Sequence, residues 1–127
     1  MWMIKRLENV MLSSDDPKRL GEFYKDVVGL TTGMIFEGPE GPGYEFPDVG
    51  IFVNPHSEVH GENKMPGRHI INFAVKDIER EVVRLIKNGA KLTQEIYEIE
   101  GYGKIATFED PDKNLFQLIE VKIKQVN

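Results

Sequence analysis

NVMLSSDDPKRLGEFYKDVVGLTTG at residues 9–33 and IINFAVKDIEREVVRLIKNGAKLTQ at residues 70–94 are two versions of one pattern. An offset of 61 lays Val10 on Ile71, Leu12 on Phe73, Asp16 on Asp77 and Arg19 on Arg80. Each stretch runs from spaced apolar residues to an acidic residue, then to apolar residues three and four apart, then to glycine. That is a strand, a helix cap, an amphipathic helix and a stop. Further along, FPDVGIFV at 46–53 lies over the end of EDPDKNLFQ at 109–117 with an offset of 64, matching Pro47 to Pro111, Asp48 to Asp112 and Phe52 to Phe116. A short insertion produces such a change of offset, and self-similarity at this period is a statement about architecture.

Working outward, residues 3–13 alternate as a strand, with Ile4, Val10 and Leu12 among the apolar positions. SSDDP at 13–17 offers an N-cap at Ser14, Asp15 or Asp16, with Pro17 in the first turn. Leu20, Phe23, Tyr24 and Val27 form one apolar stripe, and Gly29 ends the helix. A strand over 30–37, a turn at GPEGPG (38–43) and a hairpin of Tyr44–Phe46 with Gly50–Asn54 complete the first unit. Pro55 to Gly67 reads as a linker between halves. The second unit repeats the order: a strand at 69–75, a helix from an Asp77 cap through Ile78, Val82, Leu85 and Ile86 to Asn88-Gly89, then strands near 91–98, 103–109 and 114–123. The fold class is α+β, a βαβββ module twice, as one domain with module 1 about 1–55, linker 56–67 and module 2 about 68–127.

The chain of 127 residues is long enough for a proper core, and its 40% apolar and 29% charged residues suit a soluble globule. A net charge of −5 with no basic run argues against nucleic acid; Lys122 and Lys124 are the densest basic stretch. Without cysteine there is no disulfide, thiolate nucleophile or zinc–sulfur site. Lys5, Arg6 and Glu8 interrupt the N-terminus too early for a secretory segment, and no apolar run reaches membrane-spanning length, so a cytoplasmic protein without membrane partners is expected.

The first strand into Asp16, GEFYKDVVGL at 21–30, INFAVKDI at 71–78 and FEDPDKNLFQLIE at 108–120 stand in order along nearly the whole chain. Together they resemble the vicinal oxygen chelate superfamily, which includes glyoxalase I, extradiol dioxygenases and the bleomycin and fosfomycin resistance proteins. The last segment is similar to that family's "F.DPDGN.IEL.E" ending. The resemblance implies two modules whose sheets curl into a cup, with helices outside and a ligand pocket within, and it implies a homodimer.

Metal-using members carry His or Glu at four pocket-facing strand positions, because a divalent ion needs several such groups converging. Counted from the capping aspartates and the DPD turn, those positions fall on Asn9, Val53, Ile70 and Gln117. Val and Ile cannot coordinate, and neutral amides are poor transition-metal ligands, so the expectation is no metal and no cofactor. A slip of one residue would bring in Glu8 and His69 instead, still with too few donors. His56 and His60 in HSEVHGE share a helix face only if helical, which Pro55 and Gly61 oppose. Glu37, Glu45, Glu98, Glu100 and Glu109 serve acid–base chemistry only if they face the cup, and Ser13, Ser14 and Ser57 have no paired His.

The expected ligand-binding residues are Asn9, Met11, Val53, Ile70, Asn72 and Gln117, with Ile51, Leu115 and Ile119 beside them by alternation. Trp2, Phe36, Tyr44, Tyr97 and Tyr102 are either aromatic walls or ordinary core. GPEGPG at 38–43 and Gly101-Tyr102-Gly103 are either flaps or hairpin turns. The function expected is small-molecule binding of the bleomycin-resistance type in a semi-polar pocket. The alternatives are a metal-dependent glyoxalase-like lyase or isomerase, and a structural module whose pocket Met11, Ile51, Val53 and Ile70 fill.

Overall fold

The structure, a computed structural model, describes residues 3–122, so Trp2, Lys124 and the end of the last expected strand lie outside the described residues. The chain forms two compact units, Met1–Gly61 and Glu62–Asn127. Each holds a four-stranded mixed sheet with a helix on one face.

In the first unit β1 (Val10–Ser14) pairs in parallel with β4 (Ile51–Pro55), β4 antiparallel with β3 (Gly43–Phe46), and β3 antiparallel with β2 (Ile35–Phe36). The strands expected over 3–13 and 30–37 are therefore much shorter: residues 3–9 and 30–34 lie outside the strands, although Gly33 N–H donates to Glu45 O (2.8 Å) and Glu45 N–H to Met34 O (3.0 Å). Apolar spacing in Met3, Ile4 and Leu7 does not bury them, since all three are exposed. The helix α1 (Pro17–Glu22) starts as its sequence requires: Asp16 caps it by accepting from Arg19 N–H at 3.2 Å, and proline takes the first turn. It then widens into a π-helical turn over Phe23–Val28, closed by Gly29 at φ 89°, whose N–H donates to Tyr24 O at 3.1 Å.

The second unit repeats this with longer strands. β5 (Ile71–Ala74) pairs in parallel with β8 (Leu115–Val121), β8 with β7 (Gly103–Glu109), and β7 with β6 (Lys91–Ile99). The helix α2 (Ile78–Lys87) is capped by Asp77, which accepts from Arg80 N–H at 3.2 Å, and it stops at Asn88-Gly89.

Strand alternation gives each sheet a helix-facing side. In the first unit it carries Leu12, Tyr44, Phe46, Ile51 and Val53; Tyr24 meets Phe46 with ring centroids 6.5 Å apart, and Leu20, Phe46 and Val53 are fully buried. In the second unit it carries Phe73, Ala106, Phe108, Phe116 and Leu118, with the Phe108 and Phe116 rings stacked at 5.5 Å. Each fully buried side chain of this size contributes on the order of 2 kcal/mol.

The tight turns between the hairpin strands differ. Four residues separate the partners Phe46 and Ile51, whereas seven separate Phe108 and Phe116. The longer turn is built on Asp110, whose carboxylate accepts from the N–H groups of Asp112 (2.9 Å) and Asn114 (3.0 Å) and from Asn114 Nδ2 (2.9 Å). Those bonds give the buried Asp110 carboxylate its partners, and Asp112 is buried beside it in the turn. Lys113 there has φ 68°, at the place where the resembled motif has glycine.

Candidate functional site

The sides of the sheets that carry no helix hold Met11, Asn72 and Gln117 of the residues expected at the site. In the second unit one rung crosses all four strands: Asn72 on β5 beside Gln117 on β8, Gln117 beside Thr107 on β7, and Thr107 beside Gln94 on β6. Gln117 Nε2 donates to Thr107 Oγ1 at 3.0 Å, which fixes the amide plane at the centre of the rung. A single N–H is used in that bond, so the amide keeps further donor and acceptor capacity. The next rung, Ala74, Ile119, Ile105 and Tyr97, is apolar, with Ile105 and Ile119 buried. Leu115 lies on the same side, two residues before Gln117. Ile70 stands immediately before β5 and is exposed.

The corresponding side of the first sheet carries Met11 and Ser13 on β1, Phe52 and Asn54 on β4, Gly43 and Glu45 on β3, and Phe36 on β2. Phe36 and Phe52 meet edge to face at 5.9 Å. Asn54 Nδ2 donates to Pro55 O at 3.1 Å and reaches Met11 Sδ at 3.9 Å. A Cβ on Gly43 would stand 3.1 Å from the Phe52 ring and 3.3 Å from Asn54 Oδ1, so the absence of a side chain there leaves both groups their places. Glu45 Oε1 accepts from Met34 N–H at 3.0 Å, a structural bond. Beyond Phe36, the loop Glu37–Gly41 and the end of β4 enclose a cleft of about 240 Å³. Asn9 precedes β1 and is exposed.

Of the six expected site residues, Val53 is placed differently, and so is its neighbour Ile51. Val53 pairs with Leu12 and Tyr44 on the helix-facing side and is fully buried; it lines nothing a ligand reaches from the other side. The reason is the turn. Matching Pro47-Asp48 to Pro111-Asp112 aligned the turns, but the strands after them are in register through Leu12 with Val53 and Phe73 with Leu118, an offset of 65. One residue of error exchanges the sides of a strand. Thr107 and Gln94 were missed, and Phe52 and Asn54 lie one residue along from the expected Ile51 and Val53. The four residues between the partners Phe46 and Ile51 make the step across the turn an odd one, which sets Ile51 and Val53, and not Phe52 and Asn54, on the side of Phe46 and Tyr44.

Other chemistry-bearing groups have structural employment. Asp77, Glu79 and Glu120 bring carboxylate oxygens within 4.8 Å of one another. Asp77 caps α2, Glu120 accepts from Ile78 N–H at 3.0 Å, and Glu79 pairs with Lys104 at 2.6 Å. All three serve the start of α2, on the side away from the polar rung. The hydrogen bond from Lys104 holds the Glu79 carboxyl below the ordinary carboxylate range. In HSEVHGE, His56 Nδ1 accepts from Glu58 N–H at 3.1 Å and the segment is not helical. Burial, then the carboxylates of Glu22, Glu37 and Asp26, push the Tyr44 phenol up, which keeps it neutral.

A family model described as "Glyoxalase-like domain" matches residues 9–119. The chain belongs to the glyoxalase-like domain family. No curated protein matches it. Among solved structures, this glyoxalase-like chain is similar to TnmS3, an antibiotic binding protein from Streptomyces sp. CB03234, at 18% identity over 96% of this chain and 100% of that one, with a TM-score of 0.73. It is also similar to FosX, a fosfomycin resistance protein from Listeria monocytogenes (16%, 93% and 94%, TM-score 0.70), and to a glyoxalase/bleomycin resistance protein/dioxygenase family enzyme from Burkholderia phytofirmans PsJN (24%, 92% and 99%, TM-score 0.68). At these identities the likeness is one of fold.

Some glyoxalase-like folds hold a metal; a FosX variant at 16% identity and TM-score 0.70 over 94% of this chain and 93% of that one was solved with manganese(II). The donors on the helix-free sides of this member do not fit one. Among the described residues there, Asn54, Asn72 and Gln117 are neutral amides, and the carboxylates Glu45 and Glu109 are engaged apart from them, by Met34 N–H and by Lys91 and Lys113, whereas hard divalent ions of that kind take carboxylate or imidazole groups in number.

Proposed function

We propose that this glyoxalase-like domain is a metal-independent small-molecule-binding protein whose ligand lies on the helix-free sides of its sheets. The observation that supports this most is the rung Asn72–Gln117–Thr107–Gln94, polar across four strands and bordered by an apolar rung. Apolar surface supplies the attraction for an organic molecule, and a few amides that both donate and accept fix its orientation. On its own sheet the first unit has the same two ingredients, Met11, Phe36 and Phe52 as apolar surface and Asn54 as an amide.

No nucleophile or base is assigned, because the carboxylates with shifted acidity are in ion pairs. The test is an amide-detected NMR titration with a chemically diverse compound set in the presence of EDTA. Binding compounds should move the side-chain amide signals of Asn72, Gln94 and Gln117, with affinities that EDTA leaves unchanged. Compounds that bind only after a transition metal is restored would overturn the metal-independent reading, and silence at that rung for every binder would overturn the site.

A further inference from the structure

We propose that the cleft beside the 38–43 loop takes an organic cation, a protonated amine or amidinium on a flat apolar body. This names a ligand class for the helix-free side of the first unit and rests on that reading. The cleft is lined by Phe36, Glu37, Glu40 and Asn54 with Gly and Pro residues between them, and no Lys, Arg or His borders it.

Its side chains present acceptors only. Asn54 turns its N–H groups toward Pro55 O and Met11 Sδ, while its Oδ1 lies over Gly43, where the missing Cβ leaves it uncovered. Glu37 and Glu40 add two carboxylates, and among the described residues neither has a basic partner. On the loop itself, Gly41 N–H is engaged by Gly38 O at 3.2 Å, and Pro39 and Pro55 have no N–H to give. The side-chain acceptors and the two carboxylates favour a ligand that brings donors and a positive charge. Phe36, braced by the edge of Phe52 and still 43% exposed, offers a ring against which a flat cation stacks. That wall and the two prolines favour an organic cation over a hydrated metal ion.

The experiment compares benzamidinium, neutral benzamide and benzoate by NMR titration at one ionic strength, on the wild type and on Glu37→Gln/Glu40→Gln. Benzamidinium should shift the amides of residues 36–43 and the Asn54 side chain. Benzamide should bind there about tenfold more weakly, benzoate more weakly still, and the double variant should lose about fivefold or more in benzamidinium affinity. Both substitutions are on exposed side chains, and an unchanged melting temperature confirms that the variant folds. Equal affinity for benzamide and benzamidinium, or an unaffected double variant, would overturn the cation assignment while leaving small-molecule binding intact. Cation binding at this cleft, with no compound ever reaching Asn72 or Gln117, would uphold the cation assignment and overturn the polar rung as a binding site. Benzamidinium shifts confined to other residues would also overturn it.

Discussion

The two units solve the same packing problem with opposite partners. At one repeat position α1 has Gly21 where α2 has Val82; facing them, β3 has Tyr44 where β7 has Ala106. A Cβ on Gly21 would run into the Tyr44 ring, so the first unit places a small helix residue over a large sheet residue. In the second unit the corresponding helix residue is larger and the corresponding sheet residue smaller, both of them buried. Total volume is kept while its distribution is reversed, which is how cores tolerate substitution. The helix-free sides follow no such rule: one is Phe, Met, Asn and Glu, the other Asn, Gln, Thr and Ile. Packing against a helix constrains one side of each sheet, and the other is left to differ with what it touches.

Breaking that exchange should have the largest effect. Gly21→Val alone should destabilise by about 3 kcal/mol or more in chemical unfolding, from overpacking against Tyr44. Adding Tyr44→Ala should recover part of the loss, since the pair would then be that of the second unit. Additive costs would show that the two positions do not share a volume.

A second prediction separates the two sides of one strand. Val53→Asn should cost about 3 kcal/mol, because it buries an amide without partners and leaves a gap, whereas Asn54→Val should stay within about 1 kcal/mol. The reverse order of costs would put β4 in the other register. Smaller again, Gln117→Ala should lower stability by only about 1 kcal/mol through the lost bond to Thr107, but weaken ligand binding about fivefold or more. Loss of folding instead would make Gln117 a core hydrogen-bonding residue rather than a binding one.

The smallest effect is electrostatic. Lys113 at 2.9 Å, and Lys91 at 3.1 Å, hold the Glu109 carboxyl below its ordinary value of 4.5. A carboxyl more acidic when folded stabilises the native state above its unfolded value and loses that contribution as pH falls through the folded one. Thermal melts of wild type and Glu109→Gln should therefore differ most near about pH 6 and converge toward about pH 3. A constant gap would mean that the pairs do not act through charge.

Much of this was legible in the sequence, because local signals were strong. Asp16 and Asp77 cap the helices, Gly29 and Gly89 end them, and the strand order follows from the repeat. On the second sheet Asn72, reached by alternation along the strand before the Asp77 cap, and Gln117, counted from the DPD turn, stand side by side. The side of β4 was not legible from the same evidence. Its position was carried across a Pro-Asp turn that is three residues shorter than its counterpart, and nothing in Pro47-Asp48 reports the length. The early strand over residues 3–9 failed for a different reason: alternation of apolar residues makes a strand only where a neighbour offers a ladder.

The central claim is that amides, not a metal, hold the ligand. Its most direct test is the metal content of tag-free protein grown in metal-supplemented medium, measured by elemental mass spectrometry. Less than about a tenth of a transition-metal ion per chain is the predicted result, given neutral amides where ligands would stand. Close to one ion per chain, lost together with ligand binding on chelation, would contradict it.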